Sequence, residues 1–158
     1  MDESFLGAVR AAVEPYRHLI AGDLLAGFLC CKGVPGPAEQ AGGAICSGED
    51  GAALAKAAVA LGYGEGSFAA VDVAGLPPDD LRIIIEAIDP AVVVSVDAPA
   101  REVVSQALGT SLPVYGVLVR AAGRRFLAVD SFEESLVSDE AKRRSWHQLK
   151  AARRKPID

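Results

Sequence analysis

Aspartates stand at three positions in the sequence where a side chain could do chemistry. Asp72, Asp97 and Asp130 each lie at or beside the end of a short apolar run, and a glycine- and proline-rich segment, 32–54, follows another such run. Ligands of open α/β sheets bind outside the carboxyl ends of the strands, so these positions are candidates for acid–base chemistry or cation binding. Aspartate at a strand end also commonly caps a helix or closes a turn, and that alternative stays open.

Several common kinds of site are excluded by residue type and spacing. No Gly-Lys-Ser/Thr follows the glycines of the 32–54 segment, and no GxGxxG follows the first predicted strand directly, so neither a Walker loop nor a dinucleotide fingerprint is expected. His18 and His147 fall on predicted helices without a catalytic partner. Cys30, Cys31 and Cys46 lack CxxC spacing, so we expect no metal site, no disulfide framework and no cofactor.

The elements that would position these residues follow from hydrophobic periodicity. Short apolar runs alternate with amphipathic segments, which predicts βαβ units around a central, mostly parallel sheet covered on both faces. The predicted fold is α/β, a three-layer α/β/α sandwich, with residues 1–158 forming a single domain. A turn at Ala122-Gly123 predicts a hairpin near the end. The predicted helices span 3–19, 51–61, 79–88, 99–108 and 139–153, and the predicted strands span 24–31, 68–73, 91–96, 114–119 and 125–129.

Composition limits the class of protein. The 158 residues are 51% hydrophobic and 23% charged, which is typical of a globular protein, and the net charge of −5 argues against non-specific coating of nucleic acid. The first residues, MDESFLGAV, lack the basic region of a signal peptide. No apolar run reaches the roughly 18–20 residues that a membrane span needs. We therefore expect a cytoplasmic protein that does not associate with membranes.

Three segments share their order and spacing with the motifs of a known family. Residues 140–150, EAKRRSWHQLK, form a basic segment with one tryptophan, and Ile88-Asp89-Pro90 precedes a valine strand that is followed by Ala100. The 32–54 segment carries a pattern of turn residues and one acid, Pro35, Gly36, Glu39, Gly43, Gly48, Gly51 and Leu54. Over about residues 24–150 the chain resembles the uracil-DNA glycosylase superfamily, especially its iron–sulfur-bearing bacterial branch. The resemblance implies a uracil-DNA glycosylase-like fold.

The resemblance also implies which chemical groups are missing. The position of the family's catalytic acid is Gly33, and the position of the aromatic that stacks on uracil is Cys46. Asp72 occupies the position of the amide side chain that hydrogen-bonds the edge of uracil in the family. The family's His-Pro-Ser motif falls near Asp130–Glu133, which contains no histidine. The cysteines of the cluster have no counterparts. Uracil excision by the usual mechanism is therefore not expected.

Two groups of candidate site residues remain near the predicted sheet edge. Asp72 and Asp130 are the candidate catalytic residues, because paired carboxylates can bind a cation, act as acid and base, or accept hydrogen bonds from an amino-bearing base. The alternative is that both carboxylates cap helices or face water. The predicted ligand-binding loop comprises Gly33, Pro35, Gly36, Glu39 and Cys46.

The C-terminal segment is the candidate DNA-binding surface. Its cations surround Trp146 and His147, and they are Lys142, Arg143, Arg144, Lys150, Arg153, Arg154 and Lys155. Such a face can contact phosphates and offer one stacking aromatic, and we assign DNA binding to Lys142, Arg143, Arg144 and Lys150. The alternative is a solvated helix end whose tryptophan packs on the core.

Three functional hypotheses follow. The first is a catalytically degenerate uracil-DNA glycosylase-like protein that binds DNA or a partner in DNA metabolism. The second is an active glycosylase or hydrolase on an unusual base or nucleotide, using Asp72 and Asp130. The third is a non-enzymatic protein-interaction module on the same fold.

Overall fold

The computed structural model of the chain describes residues 3–109, 111–112 and 115–154. The strands are β1 Ile20–Gly22, β2 Phe28–Lys32, β3 Phe68–Asp72, β4 Val92–Ser95, β5 Val119–Ala121 and β6 Arg124–Ala128. The helices are α1 Glu3–Val13, α2 Pro37–Gln40, α3 Glu49–Ala60, α4 Pro78–Ile88, α5 Ala98–Leu108, α6 Phe132–Ser135 and α7 Asp139–Leu149, with 3-10 turns at Glu14–Leu19 and Lys150–Ala152.

The strands of the described residues form one mixed sheet in the order β1-β3-β2-β4-β6-β5. The four central strands run parallel, and β1 and β5 pair antiparallel at the two edges. The predicted α/β class with a parallel centre is thus confirmed. The predicted hairpin is confirmed as β5 and β6, but the strand predicted over 114–119 is wrong in its bounds, because residues 115–118 are not strand and β5 begins at Val119. Val114 lies outside the described residues.

Side-chain alternation along the central strands divides the core between the two faces of the sheet. On β2, Leu29 and Cys31 pack into the cluster that contains residues of α1, α4 and α5, whereas Phe28 and Cys30 pack into the cluster that contains residues of α3 and α7. Every residue of β2 is buried, as expected of a central parallel strand. Helices on both faces are compatible with the three-layer arrangement.

The structure differs from the sequence-based boundaries at short or irregular segments. The helix predicted over 3–19 is α-helical only to Val13, and the chain then forms a 3-10 turn that contains Pro15. The strand predicted over 24–31 begins at Phe28, because Asp23 first closes a turn by accepting a hydrogen bond from the Leu25 N–H at 2.9 Å. The helix predicted over 139–153 ends as a 3-10 turn. Across the described residues, no helix has the length and apolar character to cross a membrane.

Candidate functional site

The carboxyl ends of β2 and β4 mark the point where the strand order reverses. The chain leaves β2 for β3 on one side and later returns to β4 on the other side, and ligands of open α/β sheets bind in the crevice at such a point. A cavity of about 370 Å³ lies there. The loop after β2 lines it through Val34 and Pro35, and the segments after β4 and β6 line it through Asp97, Glu133 and Glu134.

A buried lysine at the end of β2 organises the acids around it. Lys32 is 2% exposed, and its Nζ lies 2.6 Å from Asp50 Oδ2, 3.0 Å from Glu39 Oε1 and 3.0 Å from Glu133 Oε1. Burial alone would lower the pKa of the Lys32 ammonium, but the hydrogen bonds that it donates to Asp50, Glu39 and Glu133 outweigh burial and raise the pKa well above the ordinary value. These four residues, here called the Lys32 cluster, therefore hold a permanent cation among three carboxylates.

Glu39 ties the loop after β2 to this cation. Besides Lys32, its carboxylate accepts hydrogen bonds from the Gly36 N–H at 2.7 Å and the Cys46 N–H at 2.7 Å. Burial acts to raise the pKa of Glu39, but the ammonium of Lys32 and the two backbone donors lower it overall. Three residues of the predicted ligand-binding loop, Glu39, Gly36 and Cys46, are thus brought together by bonds that fix the loop.

Asp97 fixes the other side of the same loop. Its carboxylate caps α5 by accepting from the Ala100 N–H at 2.9 Å, and it also accepts from the N–H groups of Gly33 and Val34 at 3.0 and 2.9 Å. A Cβ added to Gly33 would lie 2.9 Å from Ala100 N and 2.9 Å from Pro99 Cβ. The position for which the resemblance implies a catalytic acid is therefore closed to any side chain by the start of α5.

Cys46 lies beneath the loop instead of facing the cavity. It is 8% exposed and has a left-handed backbone, with φ of 56°, and its Sγ lies 4.0 Å from Cys30 Sγ. The hydrogen bond with Cys46 and burial together raise the pKa of the Cys30 thiol well above its ordinary value. All three cysteines are free, and burial raises the pKa of Cys31 to about 12, so a reactive thiolate is disfavoured at Cys30 and Cys31.

The structure does not bring the two candidate catalytic aspartates together. Asp72 ends β3 and Asp130 follows β6, and β2 and β4 lie between these strands, which corresponds to roughly 14 Å. Asp72 is half-buried and closes a turn by accepting from the Ala74 N–H at 3.0 Å. Asp130 is exposed, and its N–H donates to Gln148 Oε1 at 2.9 Å. A shared proton or a jointly held cation would require a much shorter separation.

The predicted DNA-binding residues form the second charged region. These four residues, here called the α7 cations, are all exposed: Lys142, Arg143 and Arg144 on α7, and Lys150 at the start of the 3-10 turn that continues it. Among the residues that the structure describes, none of the four forms an ion pair. Trp146 is half-buried on the same helix and lines a groove of about 450 Å³ with residues of α3 and α6. Lys155 of the predicted basic cluster lies outside the described residues.

Sequence reasoning missed three of the four residues of the Lys32 cluster as site residues. Lys32 was named only as the start of the glycine- and proline-rich segment 32–54, Asp50 was not singled out, and Glu133 was named only as the end of a stretch without a histidine. The one available signal was a lysine directly after a buried strand and followed by acids within a glycine-rich loop. In the described part of the chain, no group of His, Cys, Asp or Glu side chains is arranged to hold a metal ion.

No protein-family model matches the chain, and no curated protein matches it significantly. The resemblance is therefore carried by the motifs alone, and function has to be inferred from the residues and their geometry.

Proposed function

We propose that the chain is a uracil-DNA glycosylase-like protein that binds nucleic acid without excising a base. The observation that carries the proposal is the commitment of four acids near the sheet edge to structural bonds. Glu39, Asp50 and Glu133 hold the Lys32 ammonium, and Asp97 holds backbone donors. A general base needs a carboxylate that is free to take a proton from water in the cavity, and these carboxylates have other partners.

Sterics at the start of the loop support the loss of excision. A glycosylase of the kind that the resemblance implies needs a side chain at position 33, and the close approach of Ala100 N and Pro99 Cβ leaves no room for one. A Cβ at Gly36 would overlap the Glu133 carboxylate, so a side chain there would require Glu133 to move away from Lys32. The loop keeps the glycines that its tight path requires and has no space for the groups that would do the chemistry.

The residues at the other positions that the family uses for catalysis also disfavour uracil excision. The thiol of Cys46 cannot stack on a base, and an ionised Asp72 only accepts hydrogen bonds, so it would repel the carbonyl oxygens of uracil. Glu133 brings a carboxylate to the segment where the resemblance places an imidazole that supports the leaving base. The cavity at the sheet edge is acidic, because Asp97, Glu133 and Glu134 line it against a single lysine. It is therefore a poor site for a phosphodiester backbone.

Charge directs nucleic acid to α7 instead. The segment 139–154 carries six Lys or Arg against two acids, a net charge of +4 on a chain whose net charge is −5. The α7 cations are exposed and, within the described residues, lack acidic partners, so a phosphate would not have to displace an existing ion pair. Phosphate contact is the main source of affinity in binding that is not sequence-specific.

The test combines an excision assay with a binding assay on the same labelled oligonucleotide. The protein is incubated with a single strand that carries one uracil, and the products are separated after alkaline treatment. We expect no cleavage above a mock-purified control, together with retardation of the intact strand on a native gel. Cleavage would refute the loss of excision, and the absence of retardation at low salt would refute nucleic-acid binding.

A matched pair of variants assigns the binding surface. Neutralising Lys142, Arg143 and Lys150 to glutamine should abolish most of the binding, whereas neutralising Arg10, Arg82 and Arg120 changes the net charge equally and should have little effect. With about three phosphate contacts on a single strand, log K should fall with log salt with a slope of about −2. The α7 variant should flatten this slope. Equal losses in both variants would show that only net charge matters.

A further inference from the structure

A cation, an aromatic ring and a second cation follow one another along one ridge of α7 and the 3-10 turn that continues it. Lys142, Trp146 and Lys150 are spaced at i, i+4 and i+8, so they lie above one another on one side of the helix, with about 6 Å of rise between successive members. Both lysines are exposed, and Trp146 is half-buried. A nucleotide in a single strand presents the same order, because its base lies between two phosphates.

The ring of this ridge borders an apolar groove. Ala53 and Ala57 of α3 line one side, Trp146 and Leu149 of α7 line the other, and Phe132 of α6 also contributes to the lining. The volume of about 450 Å³ lies within the range of sites that bind small organic groups. The wall on α3 is formed by alanines, whose small side chains leave space for a flat ring beside Trp146.

Charge around the groove is arranged asymmetrically. Lys142 lines it on the α7 side, Arg143 is exposed on the same helix, and Lys150 is exposed just after the helix ends. Glu49 lines it on the α3 side. A polyanion that crosses the groove would therefore place its phosphates on α7 and keep them away from α3.

We propose that this groove binds an unstacked base of a single-stranded nucleic acid, with the base against Trp146 and the flanking phosphates on Lys142 and Lys150. The inference rests on the proposed nucleic-acid binding and adds the form of the ligand. Base stacking on an aromatic side chain tolerates any sequence, since every base has a π-face. In a duplex both faces of each base are covered by its neighbours, so the ridge favours the single strand.

Trp146 is the only tryptophan of the chain, so intrinsic fluorescence reports on this groove. The experiment titrates the protein with an oligothymidylate of about a dozen nucleotides and follows tryptophan emission, while anisotropy of the labelled oligonucleotide measures total binding. We expect saturable quenching with the same Kd in both measurements. A duplex of equal length should bind more weakly and quench little, and poly-L-glutamate, a polyanion without bases, should not quench.

Variants separate stacking from charge. Trp146→Ala should weaken binding by about ten- to a hundredfold, and Trp146→Phe, which keeps a ring, should recover most of the affinity. Because Trp146 also packs against the core, Ala53→Leu provides an independent variant, since it fills the groove from α3 and leaves all α7 cations in place. It should abolish quenching and weaken binding by about tenfold. Arg10→Ala, on the opposite face of the sheet, should leave both readouts unchanged.

The outcomes distinguish this inference from the proposed function. Binding without quenching, and with equal affinity in Ala53→Leu and the parent, would overturn the base site and leave phosphate binding by α7 intact. The absence of all binding would overturn both. Equal quenching by poly-L-glutamate or by the duplex would also overturn the base site, and the former would indicate an acidic protein partner.

Discussion

The Lys32 cluster and the α7 cations are two charged regions with opposite environments. In the first, a lysine that is 2% exposed contacts three carboxylates within 3.0 Å. In the second, four exposed cations form no ion pair within the described residues. A buried charge must be compensated inside the protein because its desolvation is expensive, whereas an exposed charge is compensated by water and salt. The first region should therefore govern folding, and the second should govern binding.

Removal of the buried cation is expected to have the largest effect. Lys32→Met keeps much of the side-chain volume but leaves Glu39, Asp50 and Glu133 facing one another without a counter-charge. Breaking a buried ion pair in this way typically costs about 3–5 kcal/mol of unfolding free energy. Urea unfolding followed by circular dichroism measures the loss.

The matched control is Lys56→Met on α3, where the lysine is exposed. Its effect should stay within about 0.5 kcal/mol, as is usual for surface substitutions. Similar losses in the two variants would mean that the Lys32 cluster contributes no more than a surface charge, and the comparison of the two regions would fail.

Asp97 provides the next largest effect, since it compensates backbone donors instead of a side-chain cation. Asp97→Ala removes the cap of α5 and leaves the N–H groups of Gly33 and Val34 without their acceptor, so we expect a loss of about 2–3 kcal/mol. Asp97→Ser keeps a capping oxygen for Ala100 but is too short to serve the loop. It should restore about 1 kcal/mol in the same unfolding measurement. If the serine variant were fully stable, the bonds to the loop would contribute nothing.

The sequence was sufficient for the parallel centre of the sheet. The run 91–96, AVVVSV, contains a β-branched strand that is buried on both faces, and the structure has β4 there. β1 was not predicted because its three residues provide no periodicity, and its pairing with β3 is a tertiary contact. The 3-10 turn after α1 was also not predicted, since Pro15 is acceptable at the start of a helical turn.

The site was less accessible from the sequence because its contacts are not local. The sequence predicted a ligand-binding loop after β2, at the carboxyl ends of the strands, and Glu39 was one of the residues assigned to it. Lys32, the partner of Glu39, was not assigned to the site, because a lysine at a strand end is ordinarily exposed. Glu133 lies 101 positions after Lys32, and the two meet only because β6 is placed two strands away from β2 in the same sheet. That proximity depends on strand order, which motif spacing does not give.

The pH dependence of stability tests the comparison of the two charged regions at a single acid, Glu39. The pKa of Glu39 in the folded state lies below its ordinary value of 4.5, so its contribution to stability is present above that value and is lost as the pH falls through the folded pKa. Lys32 behaves oppositely, because its pKa is raised. Its contribution is complete below the ordinary value of 10.5 and is lost only as the pH rises through the folded pKa.

Glu39→Gln should therefore be less stable than the parent at pH 7, and the difference should narrow as the pH falls from 5 to 3. One proton changes the unfolding free energy by at most about 1.4 kcal/mol per pH unit, which limits the slope. Urea midpoints at several pH values measure it. Glu86→Gln, in an exposed pair with Arg82, is the control and should show a small difference that hardly varies with pH. If the difference in unfolding free energy between Glu39→Gln and the parent did not vary with pH, the charge of Glu39 would not matter to folding.

The smallest effect on stability, and one of opposite sign, is expected at the α7 cations. Lys142 and Arg143 lie in the second turn of α7, just beyond the cap at Ser138 and the acids Asp139 and Glu140. The positive end of the helix dipole disfavours cations there, although the effect weakens beyond the first turn. Replacement of both by glutamine should therefore leave the unfolding free energy unchanged or raise it by a few tenths of a kcal/mol.

The same double variant should lose affinity for oligothymidylate, so its stability and its binding change in different directions. Thermal unfolding and anisotropy on one preparation measure both. A loss of more than about 1 kcal/mol would show that these cations have intramolecular partners that matter to folding. They would then resemble Lys32, and the division between a region that serves folding and a region that serves binding would disappear. Unchanged stability with weaker binding would instead show that the exposed cations of α7 serve ligand binding and that the folding of the chain does not require them.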